Sequence, residues 1–361
     1  MLCFLPKSLL SNEYLQTNLV SDIPGMATTT DPNLKNPWGV SFAASSPFWV
    51  SDNVTSVSSL YGGNGSTIVP LVVGVKGFPT GQIQNSTTGF VETDGKPAAF
   101  IFDTLGGQIY AWNPGNGVPP QSPILAELAA TSTGSVFTGL TLANNQLYAA
   151  DFRSGGGIKV FDSSFAPVTP SGSFTDANVP SGWAPYNIQM LNGKLYVEYA
   201  QVSSTGFPSI GGGLGYVGVF DLNGNFLSHD PGNISKGALN VPWGITFAPP
   251  GFGDLGGDLL VGNFGNGWIN AFDPTTGAFV AALKKVDGTP FAESGLWTLT
   301  TRAAGSGFDA NAVYFTAGIN GQADGLFGRL DAVPEPVSVG LATLGCVAVG
   351  LLSLRKRFRA K

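Results

Sequence analysis

The feature that most constrains the fold of this chain is a short unit that recurs six times. It reads as Gly, a brief strand, an aromatic residue or Leu, and then Asp or Asn. Clear copies are Gly107–Asn113, Gly156–Asp162, Gly215–Asp221, Gly267–Asp273 and Gly325–Asp331, with a degenerate first copy at Thr55–Tyr61. A second unit precedes each copy: Pro37-Trp-Gly-Val40, Pro79-Thr-Gly-Gln82, Phe137-Thr-Gly-Leu140, Pro185-Tyr-Asn-Ile188, Pro242-Trp-Gly-Ile245 and Leu296-Trp-Thr-Leu299. Between the two usually lies an apolar strand, such as Phe48–Val50, Ala99–Phe102, Leu195–Val197 or Leu259–Val261.

The repeats advance by about 52 residues each, which predicts radially repeated four-stranded blades. A single small sheet leaves both faces apolar, and only a neighbour on each side can bury them. The expectation is an all-β chain: a six-bladed β-propeller of four-stranded antiparallel blades over residues 14–331. The spare strand Tyr14–Val20 is expected to close the ring as the outer strand of the last blade, since an open ring would leave unpaired edges. Trp38, Trp243 and Trp297 fall at equivalent positions and read as packing between blades.

Composition agrees with strands and tight turns. The 361 residues include 51 Gly and 25 Pro, and only 11% are charged, which does not suit a helical bundle. The formal charge of −6 hides an asymmetry, because five basic residues sit beyond Leu354 and leave the body near −11. An acidic body argues against a nucleic-acid partner, which needs a basic face. Cys3 and Cys346 lie at opposite ends, so the body is expected to be stable by packing alone.

The C-terminal part has a different character. Val337–Leu354 is 18 residues without a charge, long enough to cross a bilayer core of roughly 30 Å as a single transmembrane helix. The basic tail 355–361 follows at once, with Arg355, Lys356 and Arg357 at its head, which places it on the cytoplasmic side. Pro334, Glu335 and Pro336 precede the span, and a residue before Pro avoids the helical region, so the segment is extended. In this order the three parts resemble the PEP-CTERM sorting signal of Gram-negative bacteria, over residues 333–361. The resemblance implies an exosortase partner, transient anchorage in the inner membrane, and export to the cell surface or extracellular matrix. The start of the body, residues 14–42 with Phe48–Asn53, resembles a bacterial propeller family that often carries such tails, with the layout of NHL and SMP-30-like six-bladed rings. Residues 1–13 read as a truncated or atypical leader.

Candidates for chemistry are few. The single histidine, His229, sits in a turn-like stretch and reads as solvated rather than as a catalytic base. Metal sites built from His or Cys are excluded by counting. Oxygen ligands remain: Asp52, Asn53, Asp103, Asp151 and Asn263 follow the middle strands, Glu198 lies one position earlier in its repeat, and Asn187 replaces the usual inner-strand Gly or Thr. Such residues on successive blades could converge on a Ca²⁺ at one mouth of the channel. They also suit the capping of strands and turns.

The leading expectation is therefore an exported, non-catalytic binding or scaffold module without a cofactor, presenting variable loops such as 200–214 to a surface ligand or an exopolysaccharide. The alternative is a Ca-dependent hydrolase, lactonase or lyase acting at the mouth.

Overall fold

Each repeat folds as a small antiparallel sheet whose strands run from the axis outward in chain order. The computed structural model describes residues 13–65, 69–115, 124–229, 231–305 and 307–333. The inner strands are Pro37–Ser41, Pro79–Gln84, Phe137–Ala143, Trp183–Leu191, Pro242–Phe247 and Leu296–Thr300. They are the six copies of the Pro-Trp-Gly-like unit, and the Gly-led unit supplies the third strands. Gly107 (φ 70°) and Gly267 (φ 73°) open third strands in the left-handed region, where a side chain would be strained.

The ring closes as the sequence predicts. Glu13–Ser21 pairs antiparallel with Leu326–Ala332 and becomes the outer strand of the sixth blade. Two short strands, Thr29–Thr30 and Lys284–Lys285, extend that edge by parallel pairing. Tyr14 anchors the closing strand: its ring stacks on Phe252 at 4.3 Å and its hydroxyl donates to the Phe252 carbonyl.

Six apolar cores fill the six gaps between neighbouring blades, which is where a radial repeat must bury its faces. Trp49, Leu60, Phe100, Phe102 and Trp112, for example, join the first blade to the second. At the junction of the sixth and first blades, Arg302 acts as a clasp. Its Nη2 donates to the carbonyls of Ala43 (3.1 Å), Ala44 (3.2 Å) and Ser46 (2.5 Å). Phe308, Phe42 and Phe48 surround the guanidinium, the first at 3.6 Å.

Along the axis the inner strands approach too closely for most side chains. A Cβ added to Gly39 would lie 2.7 Å from the Thr80 carbonyl, and Gly81, Gly139 and Gly244 are equally confined. The central channel is thereby reduced to about 30 Å³, room for little more than water. No helix among the described residues is long and apolar enough to cross a membrane, and the expected span 337–354 lies outside the described residues.

Candidate functional site at the channel mouth

The carboxylates and amides singled out in the sequence do come into register, but not as one set of ligands. Asp52, Asp151 and Asn263 pair with Pro37, Phe137 and Pro242 at the starts of their inner strands. Asp151 Oδ1 accepts from Val136 N (2.9 Å), and Asn263 Oδ1 accepts from Asn240 N (3.0 Å). Each thereby fixes the loop leading into an inner strand. Asp151 Oδ2 also accepts from Ser135 Oγ and Arg153 Nε, both at 3.0 Å. Asp52 Oδ2 accepts from Ser59 Oγ (2.5 Å), and burial pushes its carboxyl well above the ordinary range. Asn53 donates to the Pro79 carbonyl (3.1 Å).

Asp103 belongs to a different ring position. In the second blade Thr104 pairs with Pro79, and in the fourth Tyr199 pairs with Pro185, so Asp103 aligns with Glu198. Asp103 Oδ1 accepts from Thr80 Oγ1 (2.7 Å) and Gly81 N (2.5 Å), while burial raises its pKa to about 7. Glu198 is wholly buried, and neither of its carboxyl oxygens has a hydrogen-bond partner among the described residues. Burial raises its pKa well above the carboxylate range. Asn187, opposite Glu198, donates to the Trp243 carbonyl (2.6 Å) and ties the fourth blade to the fifth. Among the described residues no three of Asp, Glu, His and Cys gather in a way that could hold a metal ion. Pro334, Glu335, Pro336, Arg355, Lys356 and Arg357 lie outside the described residues.

Above this layer the mouth is apolar. Trp38, Trp243 and Trp297, expected to pack between blades, touch one another at the axis rather than in the six inter-blade cores, and with Tyr186 and Phe152 they form one buried cluster there. Trp38 stacks on Trp297 at 3.5 Å, and Phe264 covers the opposite side of Trp297 at 4.3 Å. Trp243 Nε1 donates across the axis to the Thr138 carbonyl (2.8 Å), and Trp297 Nε1 donates to Asn36 Oδ1 (2.9 Å). The cluster floors a cavity of about 540 Å³, overhung by Thr205, Gly206, Phe207, Pro208 and Ile210 of the loop expected to shape the mouth.

Asn53, Trp38 and Trp297, all named from the sequence, line this cavity. Phe152 and Phe264 also line the pocket and each follow a marked position, Asp151 and Asn263, while Leu105, a further wall, lies two places beyond Asp103. Aligning the repeats one place further finds Phe152 and Phe264. Tyr186, beside the marked Asn187, is the fourth-blade counterpart of the tryptophans.

Fold and site together define a six-bladed propeller with an aromatic, uncharged pocket at one mouth. No family model matches the chain. It is 33% identical over 330 residues to the uncharacterized protein R648 of Acanthamoeba polyphaga mimivirus, covering 86% of this chain and 78% of that protein. The uncharacterized protein L690 of the same virus is 31% identical over 325 residues, covering 86% and 84%. The chain belongs to the family of these mimivirus proteins. This corrects the expected membership of a bacterial PEP-CTERM propeller family: the relatives found over most of the chain are viral. Among solved structures, a streptogramin B lyase superposes with a TM-score of 0.49 at 12% identity, covering 88% of this chain and 97% of that one. A chain of a nidogen/laminin complex gives a TM-score of 0.46, also at 12% identity, covering 71% and 83%.

Proposed function

We propose that the protein is a non-catalytic binding module that receives an uncharged ligand in the mouth pocket. The lining carries this reading: none of the residues around the cavity of about 540 Å³ is Asp, Glu, His, Lys, Arg or Cys. Among the described residues that line it, the one titratable group is the Tyr186 phenol, which burial pushes up and keeps protonated. Acid–base or nucleophilic chemistry needs a group poised near the working pH, and the pocket offers none. The carboxyl groups of Asp52, Asp103, Asp151 and Glu198 are fully buried, and none of them lines the cavity. Size and concavity suit a small molecule.

The test is ligand-observed NMR on the full-length protein with matched neutral and anionic fragments, repeated on Val136→Trp, which fills the pocket. Neutral fragments should bind and should be lost in the variant. Turnover of an ester or lactone that EDTA abolishes would instead carry the metal-dependent reading.

We also propose that the uncharged stretch 337–354, with the basic tail 355–361, holds the ring at a membrane with the body on the non-cytoplasmic side. Full-length protein should resist carbonate extraction while a variant ending at residue 333 is released. Release of both would remove the anchor from the account.

A further inference from the structure

The described chain leaves the ring on the face opposite the mouth. Its last strand begins at Leu326 beside the mouth, where Asn36 N donates to the Asp324 carbonyl (3.3 Å). The strand ends at Ala332, and a Cβ added to Gly253 would lie 3.2 Å from the Ala332 Cβ. Gly253 sits in the loop from the first to the second strand of the fifth blade. Inner strands start at the mouth and end at such loops, which together form the base of the ring.

The two faces differ in chemistry. At the base, the turns after the third strands carry Asp162, Asp221 and Asp273, whose Oδ1 atoms accept from backbone N–H groups of their own turns. Hydrogen bonds from the Ser164 hydroxyl and from Thr276 N hold the Asp162 and Asp273 carboxyls below the ordinary range, so both stay ionised near neutrality. At the mouth, Phe207 is 73% exposed, Ile210 59%, Phe78 53% and Trp268 36%. An apolar rim of this kind suits a lipid surface as well as a dissolved ligand. The reach of the chain decides between them.

Three residues, Pro334, Glu335 and Pro336, separate Val333 from the uncharged stretch that begins at Val337. Four residue steps of extended chain cover at most about 14 Å. The inner strand of the fourth blade, Trp183–Leu191, runs about 26 Å from mouth to base. Trp183 pairs with Gln201, and the loop holding Phe207 continues past that pair. A chain that departs at the base therefore cannot bring this rim to the bilayer holding residues 337–354. Resting on the anchor proposed above, we infer that the ring stands on its base at the membrane and opens its mouth away from it, so that the pocket takes its ligand from the aqueous side and not from the lipids of that membrane.

The distance of each face from lipid tests this in vesicles bearing the full-length protein with Cys3→Ser and Cys346→Ser and one new cysteine at a time. Thr275→Cys places a fluorophore on a base turn, Asn223→Cys places one on a second base turn, and Ser204→Cys places one on the mouth loop; all three positions are exposed. The lipid headgroups carry a quencher. Both base labels should lose fluorescence, and the mouth label should keep it. A mouth label quenched as deeply as the base labels, in protein that still floats with the vesicles, would overturn the inference and leave the anchor standing. Floating protein in which no label is quenched would overturn it as well, since the base would then stand clear of the bilayer. Protein that does not float with the vesicles would remove the anchor and the inference together.

Discussion

Two interfaces of the ring place a carboxyl group at the same register position and treat it differently. Between the second and third blades, Asp103 faces Thr80 Oγ1 and the Gly81 N–H, and Thr80 itself reaches the Phe137 carbonyl (2.9 Å) across the gap. In the fourth blade Glu198 lies opposite Asn187, whose amide is already spent on Trp243, and it meets no donor among the described residues. Both are fully buried. Burial raises both above the ordinary carboxylate range, but the first organises an inner strand through Oδ1, whereas the second organises none. Burial at a ring position therefore does not define a role; the donors supplied by the neighbouring strand do.

The sharpest way to break this contrast is Asp103→Ala, which strips the acceptor from the Gly81 N–H. A loss of about 2–4 kcal/mol is expected, measured by urea unfolding near pH 6. Next in size is Glu198→Met, a substitution of similar shape that removes an unsatisfied buried acid. At pH 8 it should gain about 1–3 kcal/mol, and the gain should vanish near pH 4. The sign follows from the raised folded-state pKa: stability is full below the ordinary value of 4.5 and falls as the pH climbs through neutrality. An unchanged unfolding midpoint at pH 8 would show that Glu198 is solvated after all.

A smaller effect is expected for Asp103→Asn, which can keep an acceptor oxygen on Gly81. Its net change at pH 6 should stay within about 1 kcal/mol. It should still flatten the pH dependence between 3.8 and about 7, the window over which the unfolded chain releases the proton that folded Asp103 retains. A native slope that survives this substitution would assign the window to another group. Glu92, whose pKa burial also raises to about 7, is the one to replace next.

Blade number, strand order and ring closure were legible because each depends on a repeated local pattern. Gly39, Gly81, Gly139 and Gly244 mark inner strands that cannot carry a Cβ, and Tyr14–Val20 had no other edge to cover. The mouth pocket was only half legible. Its tryptophans repeat, but its other walls come from single residues beyond the repeated unit, such as Phe152 and Phe264, and from the irregular loop holding Phe207 and Ile210. The offset between Asp103 and Asp151 was also hidden. Thr104, not Asp103, pairs with the start of its inner strand, whereas Asp151 does so in the third blade, and the residue type alone does not reveal that one-place shift.

The clasp between Glu13–Ser21 and Leu326–Ala332 also sets how the ring meets force. The pair is antiparallel, and Val333 N still donates to the Glu13 carbonyl (3.2 Å), so the described chain arrives and departs at the same end of one ladder. Tension between the two ends loads that ladder like a zipper, one hydrogen bond at a time, rather than shearing all its pairs together. A pull along the chain should therefore open the sixth blade at low force and leave the other five blades stacked.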